Sequence, residues 1–160
     1  MKIIALGDSF TEGFLVDKNY TDYLADEGHD IINLGLNGDR TSGMLRRFVP
    51  EPSDILIIFG GSNDFFDSAS AENTYKNVKS ILDKSLSDQN IVVIPPYMEE
   101  IPEYPRYELI NNSIDTYASL ILNDEIIVID ARKIKPSYID GLHMREDFHK
   151  ELANKILEMI

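Results

Sequence analysis

The 160-residue chain contains no cysteine. Disulfides, thiolate nucleophiles and cysteine-ligated metals are thereby excluded, while the redox compartment stays open. Positive charge is also scarce: 15 lysines and arginines stand against 28 acids, a formal charge of -13. Such a surface repels phosphate backbones and anionic headgroups, so neither nucleic acid nor a stable membrane association is expected. Long apolar runs are missing too. Only Ile3, Ile4, Ala5 and Leu6 separate Lys2 from the first glycine, too few for a signal-peptide core or a membrane span, and a cytoplasmic protein is the expectation. There is no internal repeat and no low-complexity tract. The length and the 43% hydrophobic content fit one domain over residues 1–160.

Short apolar runs are present, and they recur: KIIAL (2–6), DIINL (30–34), DILIIF (54–59), NIVVIP (90–95) and EIIVID (125–130). Their continuous Ile/Val/Leu character predicts strands buried on both faces. Between them apolar residues repeat at steps of three and four, at Tyr75, Val78, Ile81, Leu82 and Leu86, and again at Phe148, Leu152, Ile156 and Met159. Shorter helices are predicted from Tyr20 to Glu27, stopped by Gly28, and from Thr41 to Phe48, stopped before Pro50. Strands alternating with helices read as an α/β protein, a three-layer αβα sandwich on a five-stranded parallel sheet. Ligands of such sheets bind outside the carboxyl ends of the strands, which directs attention to the loops that follow them.

Taken in order, those loops carry Ser9 in GDSFTEG, Gly38 in NLGLNGDRT, Asn63 in GGSND, and Asp140 and His143 in DGLH. A serine hydroxyl becomes a useful nucleophile when an imidazole removes its proton, and the imidazole works best when a carboxylate fixes its tautomer. A spacing of three would place Asp140 and His143 on one side of a helical turn. Of the other histidines, His29 precedes the second strand, at the opposite end of the sheet from Ser9, and His149 lies on the last helix. The backbone N–H groups of Ser9 and Gly38 and the amide of Asn63 are three donors for an oxyanion.

These four ordered blocks resemble the SGNH hydrolases, the GDSL-like lipases and esterases, over nearly the whole chain. The resemblance implies a flavodoxin-like sandwich with Ser9 as nucleophile. It further implies Ser9, Gly38 and Asn63 as the oxyanion hole, Asp140 and His143 as the rest of a triad, and no metal or organic cofactor. The chain departs from the family pattern in Phe10, where GDSL has leucine. It departs again in Met144, where proline usually follows the histidine, and in Phe148, near which glycine is common. The implied activity is that of an esterase or acylhydrolase acting on a small-molecule ester: a short-chain ester, a lysophospholipid or an acetylated sugar.

Phe10, Phe65, Tyr97, Met98 and Met144 lie in or beside the same loops, where such side chains either line a partly apolar substrate site or belong to the core beside the sheet. Asp8, Asp39 and Asp64 are expected to hold turns, and Arg40 to pair with a nearby acid. The alternative to catalysis is a flavodoxin-like module that binds a small ligand, with SFTEG around a phosphate, but Asp8 and Glu12 would repel that phosphate. A metal hydrolase would need Asp140, His143, Asp147 and His149, which lack zinc-site spacing and leave Ser9 without a role.

Overall fold

A computed structural model describes residues 1–160. The strands are β1 (Lys2–Gly7), β2 (Asp30–Gly35), β3 (Ser53–Phe59), β4 (Ser87–Ile94) and β5 (Ile127–Asp130). They form one parallel sheet in the order β2-β1-β3-β4-β5. The helices are α1 (Ser9–Glu12), α2 (Tyr20–Asp26), α3 (Thr41–Arg47), α4 (Ser62–Phe66), α5 (Ala71–Lys84), α6 (Arg106–Leu122) and α7 (Glu146–Leu157).

Alternation along the three inner strands sends successive side chains to opposite faces. Ile3, Ile57 and Val93 enter one core with Tyr20 and Leu24 of α2 and Phe148 and Leu152 of α7. Ile4, Ile58 and Val92 enter the other with Met44 of α3, Val78 of α5 and Ile114 and Tyr117 of α6. Each core holds 18 buried residues, so neither face of the sheet is left to solvent and the sandwich has three layers.

The outer strands differ from expectation. β2 has the same Ile/Leu character as β1 but no fully buried residue, and in β5 only Ile129 is buried. Both are edge strands with a neighbour on one side only, a property of sheet order that a strand's own residues do not encode. The longest helix, α6, has no clear signature because Asn111, Asn112, Ser113 and Thr116 dilute its period. Its buried residues Ile110, Ile114, Tyr117, Ala118 and Ile121 nevertheless keep helical spacing. Leu86 and Met159 fall outside α5 and α7 and are exposed.

β1 and β3 are neighbours, yet the chain leaves β1 for β2 on one side and β3 for β4 on the other. That reversal opens a crevice at their carboxyl ends. No helix is long and apolar enough to cross a membrane.

Candidate active site

Ser9 is placed by the abrupt change from strand to helix after β1. Gly7 ends the strand where a Cβ would lie 2.1 Å from Thr11 Oγ1 and 2.6 Å from the carbonyl oxygen of Phe59. Only glycine allows the first turn of α1 to fold back so closely on β3. Asp8 then caps that turn, its Oδ1 accepting the N–H of Phe10 at 3.0 Å. Ser9 takes the first helical position, where its N–H has no intrahelical acceptor. The GDSFTEG segment is thus a turn, and the turn presents a hydroxyl.

The hydroxyl meets His143, whose Nε2 is 3.0 Å from Ser9 Oγ. On the other side of the ring, Nδ1 is 2.7 Å from Asp140 Oδ2. The second oxygen of Asp140 accepts the N–H groups of His143 and Leu142 at 2.7 and 3.1 Å. Partial burial pushes the Asp140 carboxyl up, but hydrogen bonds from the His143 ring and these two amides outweigh it and hold the group below the ordinary carboxylate range. A charged Asp140 therefore accepts from Nδ1–H, which leaves Nε2 facing Ser9 as the basic nitrogen.

Asp140 and His143 do not sit on a helical turn as their spacing suggested. They occupy a loop closed by an antiparallel bridge between Tyr138 and Met144. Hydrogen bonds from Ile139 N–H to the His143 carbonyl (2.8 Å) and from Arg145 N–H to the Ser137 carbonyl (2.9 Å) complete the closure. Met144 anchors it from below, 1% exposed in the core.

Gly38 has φ +77, and nothing lies within 4 Å of where its Cβ would be, so the backbone there borders open space. Asn63, second in α4, is half-buried. Its Nδ2 donates to the carbonyl of Asp39 at 2.9 Å, which ties the amide to the residue after Gly38 and leaves one N–H of Nδ2 unused. Two further carboxylates hold this arrangement. Asp64 is buried and accepts from Thr41 N–H (2.9 Å), Thr41 Oγ1 (2.6 Å) and Thr74 Oγ1 (3.1 Å). Asp39 accepts from Arg47 Nε at 2.7 Å, and Arg47 Nη2 donates to the Gly7 carbonyl at 3.0 Å. Arg47 thus links the end of β1 to the Gly38 loop. Nothing in the local sequence marks it, because its partners are 8 and 40 residues away.

Of the residues placed between substrate path and core, most are packed inside. Phe10 is 2% exposed and stacks on Phe59 at 4.9 Å. Phe65 packs against Tyr117, and Met98 and Met144 are likewise buried. Large apolar side chains beside a strand end have the core within reach, and these four take it. Tyr97 is half-buried, with its hydroxyl on Asp115 of α6. Arg40 pairs with Asp67 at 2.9 Å. Asp140, His143, Asp147 and His149 do not converge: Asp147 accepts from Ser137, and His149 packs beside Tyr20 and Phe148. No group of three or more His, Cys, Asp or Glu side chains is placed to hold a metal ion.

Known structures share this arrangement of the chain. A lipase/acylhydrolase from Enterococcus faecalis is 26% identical, with a TM-score of 0.81 over 99% of this chain and 94% of that one. An aryl esterase from M. smegmatis is 18% identical, with a TM-score of 0.78 over 99% and 97%. A carbohydrate acetylesterase from Sinorhizobium meliloti is also 18% identical, with a TM-score of 0.74 over 99% of each. No curated protein matches at a significant level. The sequence profile of the GDSL-like lipase/acylhydrolase family matches residues 5–149. With a parallel five-stranded sheet and a serine, a histidine and an aspartate joined at its carboxyl edge, the chain belongs to that family of esterases and acylhydrolases.

Proposed function

We propose that the protein hydrolyses small, uncharged carboxylic esters through an acyl-enzyme on Ser9. His143 Nε2 takes the proton of Ser9 Oγ as that oxygen bonds to the ester carbonyl carbon, and the carbonyl π pair moves onto its oxygen. The N–H groups of Ser9 and Gly38 and the free N–H of Asn63 stabilise the oxyanion. As it collapses, the bond from carbon to the alcohol oxygen breaks, and that oxygen leaves with the proton from His143. Water then attacks the acyl-enzyme, gives a proton to His143, and the acid departs as Ser9 recovers it. Asp140 keeps the ring oriented and balances the imidazolium charge. No metal or cofactor takes part.

The observation that carries this reading is the unbroken relay from Ser9 Oγ to His143 Nε2 at 3.0 Å and from His143 Nδ1 to Asp140 Oδ2 at 2.7 Å. The preference for uncharged substrates is supported by the acidic surface and by Arg40 and Arg47 being paired with Asp67 and Asp39. Short-chain esters and acetylated sugars suit such a surface better than lysophospholipids or acyl-CoA, whose phosphates it repels. The structural relatives include an aryl esterase and a carbohydrate acetylesterase at equal identity, so likeness alone favours neither alcohol. Ser9→Ala is expected to abolish ester turnover without loss of fold, and a fluorophosphonate probe to label Ser9 in the parent. An alanine variant that keeps most of its activity overturns the mechanism.

A further inference from the structure

Leu15 is one of two non-glycine residues with positive φ, at 65°, a conformation that side-chain-bearing residues seldom adopt without compensation. Burial is not the compensation, because Leu15 is 53% exposed and belongs to neither core. What the turn achieves is placement. Phe14, held by its N–H to the Ser9 carbonyl at 3.1 Å, sets its ring 4.9 Å from the His143 imidazole. Leu15, the next residue, forms one wall of a cleft of about 500 Å³ with Val16. Ile139 lies in the same cleft, exposed in the loop that carries Asp140 and His143. Both walls are therefore continuous with the segments that hold the imidazole.

Resting on the esterase reading, we infer that this cleft selects the alcohol portion of the ester and favours an apolar, uncharged alcohol. The reasoning follows from where the proton goes. When the carbon–oxygen bond breaks, the electron pair stays on the alcohol oxygen, which must lie at His143 Nε2 to receive the proton. With the oxyanion assigned to the donors at Gly38 and Asn63, the alcohol is assigned to the side of the histidine where the Phe14 ring stands, and from there along both segments to the cleft. There Leu15, Val16 and Ile139 offer apolar contact. Around them stand Asp17, Glu146 and Asp147 against a single arginine, Arg145, whose guanidinium donates to the Tyr138 carbonyl. An anionic headgroup meets repulsion at that rim, and a polyol finds an apolar wall.

The test uses two series of esters. In n-alkyl acetates from ethyl to hexyl the alcohol lengthens at nearly constant leaving-group acidity; in ethyl esters from acetate to hexanoate only the acyl chain lengthens. The parent is expected to gain roughly tenfold in kcat/KM from ethyl to hexyl acetate, since each added methylene finds apolar contact. Leu15→Gly should cut that gain to about threefold or less while its Tm equals or exceeds the parent's, because glycine accepts φ 65° without strain. Ile139→Ser, made in parallel, should flatten the same series. Ester hydrolysis with a flat alcohol series, a gain confined to the acyl series, or a parent-like gain in both variants overturns the inference and leaves the esterase intact. Failure to hydrolyse any ester overturns both.

Discussion

The turn that carries Ser9 and the loop that carries His143 serve one relay but are held by different forces. Asp8, Ser9, Phe10 and Thr11 are all at most 4% exposed. Thr11 Oγ1 bonds Tyr20 Oη at 2.9 Å, and its carbonyl accepts from Asn19 and Asn33 at 2.7 and 2.6 Å. Ser9 is thus fixed by the same packing that stabilises the fold. The His143 loop is less buried, with Ile139 and Asp140 exposed and His143 itself half-buried. It is shaped by the bridge at Met144 and by the N–H of Glu99 on the Gly141 carbonyl at 2.8 Å. Apart from the Ser9 hydroxyl itself, substitutions in the first region should therefore register as stability, and substitutions in the second as activity.

Asp140→Asn gives the largest effect that this contrast predicts. Asparagine can still accept the two loop amides but loses the charge that fixes the tautomer of His143, so kcat should fall by roughly 10²- to 10⁴-fold. The exposed position limits the change in stability to less than about 1 kcal/mol. Esterase kinetics and a thermal melt on the same preparation check both halves. A large loss of Tm with kcat retained would show that the loop is structural after all.

Gly7→Ala reverses the pattern. The added methyl would overlap Thr11 Oγ1 and the Phe59 carbonyl, and the second is backbone of an inner strand that cannot withdraw. Destabilisation of about 3 kcal/mol is expected in urea unfolding. Parent-like stability would mean that α1 can slide away from β3, and the claim that the core fixes Ser9 would fail.

The same contrast explains what was legible before the structure. The inner strands declare themselves because burial on both faces needs an unbroken Ile/Val/Leu run, and Ser9, Asn63 and Gly38 follow strands at short, readable distances. What depends on sheet order was hidden: that β2 and β5 are edges, and that Arg47 reaches Gly7. The aromatic and methionine positions stay open in the sequence for a related reason. Phe10, Phe65, Met98 and Met144 stand beside both the core and the crevice, and only three-dimensional packing decides which they enter. The bridge between Tyr138 and Met144 is the counterpart in the second region. It replaces the rigidity of a proline after His143, with no motif to announce it.

The smallest effect sharpens the comparison within the buried region itself, through two titrating groups of opposite sign. Burial pushes the Asp8 carboxyl up to about 7, with the Phe10 N–H opposing and the charges of Asp64 and Asp39 adding; its Oδ2 has no partner. Burial pushes His149 down to about 4, with no partner on its Nδ1. The folded state favours protonated Asp8, so that contribution is complete below the unfolded pKa of ~3.8 and is lost as pH rises through about 7. It favours neutral His149, so that contribution is complete above ~6.5 and is lost as pH falls through about 4. Between these limits the two slopes oppose each other, and the parent's stability should vary little with pH. Asp8→Asn removes one of them. At pH 4.5, just above the unfolded pKa, the substitution should change stability by about 1 kcal/mol or less, since a neutral amide replaces a carboxyl that is neutral when folded and costs little to protonate in the unfolded chain. Above pH 7 the variant should be the more stable protein, because the parent must then bury a charge. Urea midpoints from pH 4.5 to 8 decide the point: a variant whose stability stays parallel to the parent's across that range would show that Asp8 does not titrate there.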